Sequence, residues 1–121
     1  MKRVPALFYR TEAGNEPVRD WLKSLAKEER RMIWADIQTV EFGWPVGMPV
    51  CKPMGNGIFE TRTDLNKRIA RVLFCVLNSR MYLLHGFIKK TKQTSPNDLG
   101  IATQRKSKLE RELKATRRAK R

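Results

Sequence analysis

The sequence predicts a single small α+β domain with one antiparallel sheet, a hairpin of helices before it and one helix after it. Three observations carry this. Residues 15–42 repeat apolar side chains at helical spacing, residues 58–88 hold three strand-like runs separated by turns of hairpin length, and helical spacing returns after Pro96. A chain of 121 residues supports one domain with a modest core and is too short for two ordinary ones.

Taken in order, "RVPALFYR" (3–10) reads as a first strand, and Pro5 restricts it to an edge or a strand start. In "GNEPVRDWLKSL", Asn15 is a plausible N-cap, Pro17 suits the first turn, and Glu16 and Asp20 complement the positive end of the helix dipole. Val18, Trp21, Leu22 and Leu25 then mark one buried face. A second helix is expected from Lys27 to Phe42, with Ile33, Ile37 and Val40 on one face and Gly43 and Pro45 ending it. The stretch 43–57, "GWPVGMPVCKPMGNG", is dense in glycine and proline and reads as an ordered loop.

The runs "IFETRTD" (58–64), "IARVLFCVL" (69–77) and "MYLLHGFI" (81–88) predict an antiparallel meander. Beyond Pro96, Leu99, Ala102, Lys106, Leu109 and Leu113 fall roughly in helical register. The domain is therefore expected over residues 1–113, with 114–121 as a basic, disordered tail that holds no large apolar side chain.

The formal net charge is +14, and Arg105 to Arg121 hold nine Lys/Arg against two Glu, so half of the excess lies at the C-terminus. Such a charge draws a protein to polyanions, nucleic acid first among them. Cys51 and Cys75 have no signal peptide ahead of them and read as two reduced, buried thiols. With one histidine and no Cys-x-x-Cys there is no credible zinc set, and no cofactor is expected. No apolar run is long enough to span a bilayer, which predicts a cytoplasmic protein without a membrane partner.

If one sheet face packs on the helices, the other is expected to be open for a site. Arg62 and Arg71 interrupt largely apolar strands, and an isolated guanidinium there needs water or a partner such as Glu60 or Asp64. His85 ends an apolar run and Lys89 and Lys90 follow it. The pleat decides which of these share a face. A two-residue turn at Asn78 and Ser79 pairs Val72 with His85, whereas a turn one residue longer brings His85 to the face of Arg71.

The segments "FYRTEAGNEPVRDWLKSL", "FGWPVGMPV", "GIFETRTDL", "RIARVLFCV" and "LLHGFIKKTKQTSPNDLGIATQR" resemble, in order and spacing, the phage-derived, HigB-like branch of the RelE/ParE toxin superfamily over about residues 7 to 105. The resemblance implies a compact RelE-like (microbial ribonuclease-like) fold. For the RelE and HigB members it also implies cleavage of messenger RNA on the ribosome without metal, restrained by a cognate antitoxin with a helix-turn-helix domain. By position, Arg71 matches an arginine of those nucleases, Arg62 a basic residue on the preceding strand, and Lys89 and Lys90 the basic residues after the last strand. The catalytic candidates are thus Arg62, Arg71, His85, Lys89 and Lys90, with Phe87, Thr91 and Lys92 as substrate contacts. Many relatives carry a tyrosine near the C-terminus, whereas this chain has none after Tyr82.

RNA supplies its own nucleophile, the 2′-hydroxyl, so a cluster of cations with one proton-transfer group suffices for the chemistry. Two other readings share the fold or the charge: a ParE-like, non-enzymatic poison of gyrase, and a basic RNA- or ribosome-binding module without catalysis.

Overall fold

The computed structural model describes residues 1–91 and 93–119. Its elements are β1 (Ala6–Phe8), α1 (Pro17–Lys23), α2 (Lys27–Gly43), β2 (Cys51–Gly55), β3 (Ile58–Asp64), β4 (Ile69–Leu77), β5 (Arg80–Lys89) and α3 (Pro96–Ala119). The five strands form one sheet in the order β1-β5-β4-β3-β2, antiparallel except for the parallel β1–β5 pair. The α+β class and the expected order of helices and meander hold, and the architecture is consistent with the RelE-like fold.

Two-residue turns build the meander. Asn56-Gly57, Asn66-Lys67 and Asn78-Ser79 all have positive φ at both positions, the backbone twist that matches paired strands. The first of these turns falls within the expected loop, and residues 51–55 ahead of it are a strand, pairing Cys51 with Thr61 and Lys52 with Glu60. Pro53 is tolerated because β2 is an edge strand. At the other edge β1 follows Pro5, as that proline required. Helix α1 opens with Pro17 at its first turn, but the N-cap is Glu16 rather than Asn15, and no side chain caps it.

The sheet separates two cores. On one face Ala70, Val72, Phe74, Met81 and Leu83 pack with Val18 and Leu22 of α1 and Ile33, Ile37 and Val40 of α2. Gly86 lies directly beneath Trp21, where a Cβ would come within 2.4 Å of the indole. On the other face Leu73, Cys75, Tyr82 and Leu84 meet Ala102 and Leu109 of α3. Both faces are therefore covered, which corrects the expectation of an open one. The free thiols of Cys51 and Cys75 are buried in opposite cores, and burial pushes them up to about 11 and about 12. α3 continues through Lys114 to Ala119, while residues 120 and 121 of the expected tail lie outside the described residues.

Candidate active site

The site grows from a register shift. The Asn78-Ser79 turn has two residues and pairs Leu77 with Arg80, and the ladder continues regularly to Phe74 and Leu83. A bulge then sets Leu73 opposite His85 and Arg71 opposite Phe87. The extra residue, Leu84, moves every later side chain of β5 to the other face. So the shorter turn is present, yet His85 lies on the Arg71 face, an outcome neither turn length alone predicted. The carbonyl of Leu84 accepts a 2.7 Å hydrogen bond from Arg105 of α3, which satisfies a backbone group at the bulge.

Across the sheet, Arg62 pairs with Arg71 and Glu60 with Leu73, so Arg62, Glu60, Arg71, His85, Phe87 and Lys89 share one face. Two guanidinium groups opposite one another repel, and Glu60 offsets this. Its Oε1 lies 3.5 Å from Nε of both Arg62 and Arg71, and its Oε2 accepts a hydrogen bond from the Thr94 hydroxyl. Arg62 also borders a cleft of about 500 Å³ with Asp36, Met48, Asp64 and Ile69 in its walls.

Of the two partners the sequence offered Arg71, water or a nearby carboxylate, the structure supplies the carboxylate of Glu60. Arg71 is 0% exposed, and among the described residues none of its three guanidinium nitrogens makes a hydrogen bond. Burial lowers its pKa from the ordinary arginine value and Arg62 adds to this, while Glu60 and Asp98 pull the other way. An arginine remains protonated under such opposition, so a charge is held beneath the surface with one carboxylate as its ionic partner.

The second centre is Asp98, in the first turn of α3. Its Oδ1 lies 2.8 Å from Nε2 of His85, and its Oδ2 accepts hydrogen bonds of 2.5 Å from Lys89 Nζ and 2.6 Å from the Ser95 hydroxyl. Ser95 Oγ in turn accepts from the Asp98 backbone N–H at 3.1 Å, as in a helix-capping motif. Burial acts to raise the Asp98 pKa, but the hydrogen bonds from Lys89, Ser95 and His85 outweigh it and hold the carboxyl at about 2. The Phe87 ring stacks on His85 with centroids 5.5 Å apart, and Lys89 Nζ lies 5.2 Å from its centre. Lys90 and Thr91 are exposed just beyond β5, and Lys92 lies outside the described residues.

Sequence reasoning missed Asp98, Ser95 and Thr94 as parts of the site, and it weighed Glu60 only as an ion-pair partner. One signal for the first two was present: Ser95 and Asp98 are spaced as Ser-x-x-Asp at a helix start. No local pattern announces that the cap also reaches His85 and Lys89, because those contacts span 13 and 9 residues.

Residues 20–107 match the family described as phage-derived protein Gp49-like. The chain belongs to that family. It is a family related to RelE- and HigB-type toxins, and the protein is toxin-like in that sense. No curated protein matches the chain. The family match contains Glu60, Arg62, Arg71, His85, Lys89 and Asp98, and it ends within α3. No helix among the described residues is long and apolar enough to cross a membrane.

Proposed function

We propose that this protein is the toxin of a type II toxin–antitoxin pair, a metal-independent endoribonuclease that cleaves messenger RNA on the ribosome and is restrained by an antitoxin with a helix-turn-helix domain. The observation that carries the reading is the convergence of two arginines, a histidine and a lysine on one sheet face, with one arginine buried and unsatisfied. An unsatisfied buried charge is a stability liability, and such liabilities persist at functional sites.

The chemistry follows from the contacts. Asp98 accepts from His85 Nε2, so in the neutral ring Nδ1 carries the lone pair. Nδ1 can take the proton of the RNA 2′-hydroxyl. The 2′-oxygen then bonds to phosphorus, and the bond to the 5′-oxygen breaks as that oxygen gains a proton from Lys89 or Lys90. Arg62 and Arg71 balance the charge of the crowded phosphate, Phe87 supplies an aromatic contact for a base, and Thr91 and Lys92 hold the flanking strand. In the free protein the carboxylates of Glu60 and Asp98 occupy these cations, and a substrate phosphate competes with them. Because the Thr94 hydroxyl is bound to Glu60 and Asp98 to His85 and Lys89, access to Arg71 requires these contacts to open.

Primer extension on cells induced to express the protein tests the reading. Cuts within translated frames support it, and Arg71→Met should abolish them. Intact messages alongside gyrase-dependent DNA breaks would transfer the case to the ParE-like alternative.

A further inference from the structure

One surface remains that the proposed chemistry does not use. α3 buries Ala102 and Leu109 against the sheet, with Leu99 and Leu113 partly buried beside them. At about 100° per residue, Lys108, Arg111, Lys114 and Arg118 fall within an arc of about 120° on the side away from that seam. Arg111, Lys114 and Arg118 are exposed and Lys108 is half-buried. Of the carboxylates of the helix, Asp98 serves His85 and Lys89 and Glu110 pairs with Lys106 at 3.2 Å, while the exposed Glu112 lines a shallow cleft beside Lys108 and Arg111, which leaves four cations of the stripe against one neighbouring acid of the helix. Glu12, itself exposed, meets Lys108 at 3.3 Å.

At the foot of the stripe lies a cleft of about 380 Å³ lined by Tyr9, Thr11, Gln104, Arg105, Lys108 and Arg111. Arg105 is held in place there by its bond to the Leu84 carbonyl and by the Tyr9 ring 5.7 Å away. The cleft therefore presents cations and neutral hydrogen-bond donors together, one cation on a fixed side chain, and opens onto a row of further cations.

We infer that this stripe and cleft form a docking surface for the phosphate backbone of structured RNA, separate from the catalytic face. The chemistry selects that partner. A membrane-bound amphipathic helix needs a free apolar face to insert, and the apolar face of α3 is spent on the sheet. A protein interface needs an aromatic or aliphatic centre, and 114–118 contains no large apolar side chain. Cations with donors and no apolar anchor fit a regular array of phosphates, which fixes position without reading sequence. All four cations of the stripe lie beyond residue 107, where the family match ends. The proposal deepens the ribonuclease reading by adding an anchor on ribosomal RNA, and it is tested by binding so that it stands or falls separately from cleavage.

The experiment uses the full chain and an RNA duplex of about 16 base pairs, a length that spans successive grooves of the A-form helix. Affinity is measured across a salt series for the wild type and for the combined Lys108→Gln, Arg111→Gln, Lys114→Gln and Arg118→Gln variant, glutamine being a good helix former. The control replaces Lys2, Arg19, Lys23 and Arg31, exposed cations elsewhere, by glutamine, so both variants lose the same charge. The stripe variant should bind at least tenfold more weakly at low salt. Its slope of log affinity against log salt should be shallower by about 0.7–0.9 for each phosphate that the variant no longer neutralises. Equal losses in the two variants would reduce the effect to net charge and overturn the proposal, as would a stripe variant that loses binding to phosphatidylserine vesicles but not to RNA. Stripe-dependent binding in a protein that cuts no message would leave the docking surface standing and remove the ribonuclease reading.

Discussion

The two faces of the sheet are built from the same three strands and solve opposite problems. Beneath α1 and α2 every inward residue of β4 is apolar, from Ala70 through Val72 to Phe74, and burial alone stabilises the contact. Beneath α3 and the segment before it the same strand offers Leu73 and Cys75 to the apolar core but Arg71 to a cluster of Glu60, Arg62 and Asp98. The first face gains stability from each residue it hides. The second hides a guanidinium that lacks hydrogen bonds, a configuration that well-packed apolar residues commonly outperform. The contrast identifies where this small domain gives up stability and hence where its function is to be sought.

The contrast breaks most sharply at Arg71. Arg71→Ala strips Glu60 of a buried ion-pair partner and should destabilise by roughly 3–5 kcal/mol, and it should also lose on the order of 2–4 kcal/mol of transition-state stabilisation. Arg71→Met removes the same charge from beside Glu60 but fills the space, so it should destabilise less than Arg71→Ala while remaining inactive. Thermal unfolding paired with cleavage on programmed ribosomes checks both, and a fully active Arg71→Met would remove the residue from the site.

On the apolar face, Gly86→Ala should destabilise by roughly 1–3 kcal/mol through overpacking, since the new methyl group meets the Trp21 ring. Urea unfolding measures it. Pairing the substitution with Trp21→Leu should recover part of the loss if the indole is the obstacle.

Acid sharpens the comparison. The folded-state pKa of Asp98 is depressed to about 2 from an unfolded value near 4. Its contribution is therefore present above the unfolded value and is lost as pH falls through the folded one. Stability worth about 2 kcal/mol should disappear between roughly pH 5 and pH 2, and Asp98→Asn should flatten that part of the profile. A wild-type curve level across that window would contradict the hydrogen-bonded geometry of Asp98.

The smallest effect is expected at Lys90, which is exposed. Lys90→Ala should change stability by no more than about 0.5 kcal/mol. A loss of cleavage without loss of stability would favour Lys90 over Lys89 as the acid, and unchanged cleavage would assign that role to Lys89.

Much of this was written locally. Periodicity placed α1, α2 and the three long strands, Pro5 marked an edge, and Arg62, Arg71, His85 and Lys89 stood out as polar residues within or just after apolar runs, because each signal depends on neighbours within a turn of helix or a pleat. Strand β2 was hidden by its proline, although Asn56-Gly57 announced the hairpin. What the tertiary structure alone decided was which of these side chains meet. A one-residue bulge at Leu84, supported by Arg105 from 21 residues away, turned His85 onto the face of Arg71. The start of α3 then supplied Asp98 to hold His85 and Lys89, and the residues just before it supplied Thr94 to hold Glu60. A sequence pattern with period two cannot carry such information, because a single inserted residue inverts it, and the energy that favours the insertion comes from contacts made only once the chain has closed on itself.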